Sequence, residues 1–136
     1  MLFRDYRYFN IRAAAILTNS YVAGTIIAPY DSATAVEGSP QYYNQLVVYV
    51  AFTIGSLTNA DIKVEFSHDG TTYHQESFSS VSGGTDTVTV GIHRFGATGN
   101  FRILIPLKDN YVKISAIGNG TVTSSSMTIN AVLGVV

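Results

Sequence analysis

Residues 45–67 read Gln-Leu-Val-Val-Tyr-Val-Ala-Phe-Thr-Ile-Gly-Ser-Leu-Thr-Asn-Ala-Asp-Ile-Lys-Val-Glu-Phe-Ser, two strands joined by a short polar turn. In the second strand Ile62, Val64 and Phe66 alternate with Asp61, Lys63, Glu65 and Ser67. Successive side chains leave a strand on opposite sides, so this alternation marks a strand with one wet face. In the first strand Leu46, Val48, Val50, Phe52 and Ile54 fill one face, while Val47, Tyr49 and Ala51 make the other face apolar too. A strand apolar on both sides is either buried on both sides or presents one of them to a partner.

Outward from this pair, strand patterns recur at 72–79, 86–94, 101–107, 110–117 and 121–133. The punctuation between them is chemically consistent. Asp69-Gly70 is a tight-turn pair that tolerates positive φ, and Ser82-Gly83-Gly84, 96–100, 108–110 and Gly118-Asn119-Gly120 supply the other turns. Seven strands with turns at this spacing predict an all-β fold, an antiparallel β-sandwich that is jelly-roll-like or Ig-like. The expected inward faces are Leu46/Val48/Val50/Phe52/Ile54, Ile62/Val64/Phe66, Val88/Val90/Ile92, Phe101/Ile103/Ile105, Val112/Ile114/Ala116 and Met127/Ile129/Ala131/Leu133. Residues 13–28 admit a strand, a short helix or both. Residues 29–44, with Pro29, Gly38 and Pro40 among small residues, read as a long loop. Residues 1–12 mix bulky apolar residues with three arginines and show no helical stripe. They read as an extended N-terminal arm ahead of a single sandwich domain over 13–136.

Composition points the same way. The chain has 136 residues, which suits one domain, and 14 Val, 12 Ile and 14 Thr against seven Leu favour strands. Charged residues make up 12% of the chain with a net charge of −1, about half the charged fraction usual in soluble domains. Thr and Ser hydroxyls carry the polarity instead. So little charge suits a surface that neighbours cover and argues against a general nucleic-acid binder, which needs a basic field. Cysteine is absent, which removes a disulfide framework, a thiolate nucleophile and a zinc–thiolate site. No run approaches the roughly 18 apolar residues of a membrane-spanning helix. The apolar stretch at 13–17 is too short for a signal sequence, so the chain reads as made in the cytoplasm without processing.

Candidate chemistry is thin. His68, His74 and His93, with Glu65, Asp69 and Glu76, are the groups from which a metal or acid–base cluster would be built, but their spacing matches no metal motif and suits a wet hairpin. There is no Gly-x-Ser-x-Gly elbow and no phosphate loop, since Gly96-Ala-Thr-Gly99 lies between strands. Hence no catalytic, cofactor-binding or metal residue is assigned, and the chain reads as a non-enzyme. The more informative residues are aromatic. Phe3, Arg4, Tyr6, Arg7, Tyr8, Phe9 and Arg12 combine aromatics with guanidinium groups, the residue types favoured at protein interfaces. Tyr42, Tyr43, Val47 and Tyr49 extend this interface set. Tyr42, Tyr43 and Tyr73 are also the candidates for a sugar-stacking platform.

Residues 44–78, with the Gly-Ser-Leu-Thr turn and the Val-Glu-Phe-Ser-His-Asp-Gly-Thr hairpin, and residues 110–136, with Tyr-Val-Lys-Ile-Ser-Ala and Thr-Ile-Asn-Ala-Val, resemble small virion proteins of tailed bacteriophages. The resemblance implies a capsid decoration, or cement, protein: a β-rich domain on the capsid exterior, often a homotrimer, that staples neighbouring major capsid subunits. The expected function is therefore structural, in the virion, with sister copies and the major capsid protein as partners, no cofactor, no membrane and no nucleic acid. The alternatives are a glycan-binding module of a tail or surface fibre, or a neck or tail structural protein.

Overall fold

The computed structural model describes residues 5–36, 39–42, 44–107 and 110–135, with the backbone alone for residues 5, 30–36, 39–42 and 135. The described residues form an all-β, antiparallel structure without a helix. In chain order the strands are β1 (Asp5–Ala15), β2 (Val22–Ala23), β3 (Tyr30–Val36), β4 (Ser39–Tyr42), β5 (Gln45–Thr53), β6 (Leu57–Ser67), β7 (His74–Gln75), β8 (Ser77–Ser82), β9 (Thr85–Val90), β10 (His93–Phe95), β11 (Gly99–Pro106), β12 (Tyr111–Gly120) and β13 (Ser126–Val135).

Two sheets enclose the core. One has the order β1-β13-β5-β11 and the other β10-β6-β12-β2, with β7 sharing with β10 the edge of β6 that faces away from β12. The antiparallel pairs β1/β13, β2/β12, β5/β11 and β6/β10 are nested in the sequence, and they are dealt alternately to the two sheets. That is jelly-roll connectivity, eight strands in two sheets. Two hairpins are inserted into it: β3–β4 between β2 and β5, and β8–β9 between β7 and β10.

One apolar cluster fills the space between the sheets. Leu46, Val48, Val50 and Phe52 of β5 and Met127, Ile129, Ala131 and Leu133 of β13 meet Ile62 and Val64 of β6 and Val112, Ile114 and Ala116 of β12, all buried. Each large side chain so buried contributes about 1.5–3 kcal/mol relative to exposure. These are the inward faces expected from alternation, and Ile54, Phe66 and Ile103 pack against the same cluster while partly exposed.

Three expectations are revised, and one that the sequence left open, over residues 13–28, is decided. Val88, Val90 and Ile92 do not face the core: they are 68%, 56% and 42% exposed. The strand read over 72–79 divides into β7 and β8, and that over 86–94 into β9 and β10, because the chain leaves β6 at Glu76 and returns at Gly91. The Glu76 N–H donates to Val64 O at 2.9 Å and the Gly91 N–H to Glu76 O at 2.8 Å, which ties the two departures together. Residues 13–28 form no helix; β1 runs to Ala15, and Ile27 N–H and O both bond Val112. Residues 29–44 are not one loop, since β3 and β4 pair as a hairpin with Pro40 in an edge strand, where its missing donor costs no ladder bond.

Candidate assembly surface

The outward faces of the two sheets differ in chemistry. On the β6–β12 side, outward residues include Asp61, Lys63, Glu65, Lys113, Ser115 and Asn119, in register across the two strands. Their charges satisfy one another. Lys63 and Lys113 both approach Glu65, at 3.5 and 3.8 Å. Arg94 of β10 grips the buried Asp61 with two donors, Nε to Oδ1 at 2.8 Å and Nη2 to Oδ2 at 2.9 Å. Asn119 Nδ2 adds a bond to Asp61 Oδ2 at 3.0 Å and another to Asn59 Oδ1 at 2.6 Å. The hydrogen bond from Arg94 holds the Asp61 carboxyl below its ordinary range, with burial opposing and Asn119 assisting. Asp61 in turn raises Arg94. Burial, then the Asp61 charge, pushes the Tyr21 phenol up. Lys63 Nζ sits 4.6 Å from the Tyr21 ring centroid, and Lys113 Nζ 4.4 Å from that of Tyr73.

The outward face of the β1-β13-β5-β11 sheet is built from other residues. The register aligns Tyr8, Val132, Val47 and Leu104 in one row and Asn10, Asn130, Tyr49 and Arg102 in the next. A third row holds Thr128, Ala51 and Asn100, and a fourth Tyr6, Gly134, Gln45 and Pro106. Tyr6 is 67% exposed, Tyr8 61%, Tyr49 44% and Leu104 45%. Arg102 is the one charged side chain in these rows among the described residues. Asn10 Nδ2 donates to Asn130 Oδ1 at 2.8 Å, so this face is organised by an amide pair rather than by ions.

The interface residues expected from sequence therefore separate. Tyr6, Tyr8 and Tyr49 share this outward face. Val47 lies on it too but is buried within the chain. Arg7 and Phe9 point to the core side of edge strand β1, where the Arg7 guanidinium stands 5.1 Å from the Phe9 ring centroid. Arg12 is committed inside the molecule. Its Nη1 donates to the carbonyls of Ala15, at 3.0 Å, and Met127, and its Nη2 to Ile16 O at 3.1 Å. These carbonyls lie where bulges break the β1/β13 register, and Arg12 itself is lowered by desolvation. Phe3, Arg4 and Tyr43 lie outside the described residues, as does the Tyr42 side chain. The segment read as an arm is, over 5–12, part of β1 and runs along β13.

The polar groups singled out in the sequence are spread along the hairpin region. His68 and His74 are exposed. His93 Nε2 lies 3.4 Å from Glu76 Oε1. Asp69 serves the turn: its Oδ1 accepts from Thr71 N–H at 2.8 Å, Thr72 N–H at 2.9 Å and Ser67 Oγ at 2.8 Å, with Gly70 at φ +76°. Those bonds, the backbone donors foremost, hold its carboxyl well below the usual range. Among the described residues no three His, Asp or Glu side chains gather as a metal-binding group. Of the sugar-platform candidates, Tyr73 already has Lys113 over its ring.

Sequence reading missed the β8–β9 ribbon. Its six cross-strand pairs, from Ser77/Val90 to Ser82/Thr85, are exposed throughout, and Gly83 and Gly84, at φ +60° and +81°, form the two-residue turn that such a hairpin requires. Val81, Val88 and Val90 fall on one of its faces. The Gly83-Gly84 signal was present in the sequence; the lack of a facing layer was not.

Compared with protein-family models, curated proteins and solved structures, the chain matches none.

Proposed function

We propose that the chain is a non-catalytic structural protein of a tailed-phage virion that binds the capsid exterior as a homotrimer and bridges major capsid subunits. The observation that carries this reading is the asymmetry of the two outward faces. One is a closed set of ion pairs that needs no partner. The other is charge-poor and displays tyrosines, amides and Leu104, a composition suited to a protein interface, where large amphipathic side chains bury area without leaving charges unpaired. The jelly roll is a common architecture of viral capsid and lectin domains, which agrees with the reading but does not assign it. The likeness of residues 44–78 and 110–136 to small phage virion proteins points the same way.

The mechanism is linkage. A ligand that binds only the assembled shell stabilises it by mass action. A trivalent ligand gains effective concentration at each further contact. Light scattering of the purified protein and co-sedimentation with capsids that lack it test the reading. A trimer that co-sediments and raises the temperature at which those capsids open supports it. A monomer that stays in the supernatant overturns it.

A further inference from the structure

The charge-poor outward face changes character along its length. The row of Tyr6 and Pro106 and the row of Tyr8 and Leu104 carry large aromatic and aliphatic groups. At the other end, past the row of Asn130, Tyr49 and Arg102, the row Thr128–Ala51–Asn100 is followed by Ser126 beside Thr53. Large side chains are missing there, and the surface sinks into two adjoining depressions of about 310 and 250 Å³ that share Ala51 and Asn100. Ala51 is the floor. It is the small residue between Tyr49 and Thr53 on the outward side of β5, and those two stand four residues, about 13 Å, apart.

The walls carry hydroxyls and amides. Thr53, Thr98, Asn100, Ser126 and Thr128 line the larger depression, and Tyr49 and Asn130 the smaller. No Asp, Glu, Lys, Arg or His lines either. Thr98 serves the fold, its Oγ1 accepting the Ile54 N–H at 3.0 Å. Asn130 Oδ1 accepts from Asn10, which leaves the Asn130 Nδ2 group to donate elsewhere. Among the described residues no hydrogen bond commits the side chains of Thr53, Asn100, Ser126 or Thr128.

This chemistry sorts the occupants. A peptide strand binds through an open backbone edge, but β5 is bonded to β13 on one side and β11 on the other, so the floor offers no ladder. A polyanion needs clustered cations, and Arg102 is the one charged side chain nearby, in the next row. The groups on offer suit an uncharged ligand that both donates and accepts hydrogen bonds, as hydroxyls and amides themselves do. Tyr49, exposed at the rim, adds an aromatic surface for an apolar face while its own hydroxyl stays wet. A pyranose ring combines these properties: hydroxyls around its edge and C–H groups on its face.

We propose that the depression over Ala51 binds a neutral sugar, with one pyranose ring above Ala51, its C–H face against Tyr49 and its hydroxyls bonded to Thr53, Asn100 and Thr128. The site includes none of the sugar-platform candidates read from sequence, Tyr42, Tyr43 and Tyr73. It is assembled from three strands, which bring Ala51, Asn100 and Thr128 into one row. It does not rest on the capsid reading.

The test is a titration of isotope-labelled protein, followed by amide NMR shifts, with neutral trisaccharides of glucose, mannose, galactose and N-acetylglucosamine, and with trigalacturonate as the charged comparison. At least one neutral sugar is expected to shift the signals of residues 49–53, 98–100 and 126–130 saturably. Asn100→Ala weakens that binding about tenfold, and Ala51→Leu, which fills the floor, abolishes it. Both positions are exposed, and an unchanged Tm confirms that each variant folds. Should Ala51→Leu not fold, Asn100→Ala and Thr128→Ala carry the test. No saturable shift with any neutral sugar, shifts confined to other residues, shifts with trigalacturonate alone, or equal binding by the variants overturns the site. Each of these outcomes is read without capsids, so the capsid reading is tested apart.

Discussion

Asp61 on β6 and Arg94 on β10 form a two-point ion pair across neighbouring strands, 2.8 and 2.9 Å between donor and acceptor atoms, and β10 meets β6 over three residues only. So short an edge strand has few ladder bonds to hold it, and the pair adds two charge-assisted bonds at its centre. Asp61→Asn is expected to cost about 1–3 kcal/mol in urea unfolding and to raise amide exchange at 93–95. The pH dependence follows from the sign of the shift. Asp61 and Asp69 are both lowered in the folded protein, so the unfolded chain binds more protons as pH falls. Their stabilisation is full above about pH 4 and is lost below it, and Asp61→Asn flattens that acid slope.

Arg12 bridges the carbonyls of Ala15, Ile16 and Met127 at the end of the β1/β13 ladder. Arg12→Lys keeps the charge but replaces a planar fork by a point donor. It is expected to lower stability by about 1–2 kcal/mol, with the loss confined by hydrogen exchange to β1 and its neighbours.

Gly118 has no room for a side chain. A Cβ there would stand 2.9 Å from Leu57 Cδ2 and 3.0 Å from the Cβ of the buried Leu17. Gly118→Ala is expected to destabilise by about 1–3 kcal/mol, and Leu17→Ala by about 2–5 kcal/mol, measured by denaturant titration.

Gly83 and Gly84 both have positive φ at the ribbon turn, with open space around each. Replacing both by alanine strains the turn without touching the core. Hydrogen exchange and NMR shifts over 77–90 are expected to change while the Tm of the sandwich does not. Gly83→Asn, which tolerates the left-handed region, leaves the ribbon intact.

Tyr8 and Tyr49 lie on adjacent rows of the charge-poor face, in register through β13. Tyr8→Asp and Tyr49→Asp are expected to change unfolding free energy by about 0.5 kcal/mol or less, as exposed substitutions do. Co-sedimentation with capsids is expected to be lost in both.

Much of the sandwich was legible because the core faces of β6, β12 and β13 recur at every second residue. Ile62, Val64, Val112, Ile114, Ile129 and Leu133 were all placed inward by period alone. The assembly face was half legible. Tyr49 stood out as an aromatic on the wrong side of a buried strand, whereas its alignment with Asn130 and Arg102 depends on pairings that join residues far apart in the chain. Arg12 was read as an interface residue because nothing local marks the carbonyls that it satisfies.

The chain's local order determined the core strands, most of their turns and which side chains share a face, since alternation and positive-φ glycines act within a few residues. It did not determine what each face meets. Val88 and Val90 alternate just as Val112 and Ile114 do, yet one pair stands in solvent and the other in the core. Only the folding of one sheet over the other decides that, because burial belongs to the layer opposite and not to the strand that carries the side chain.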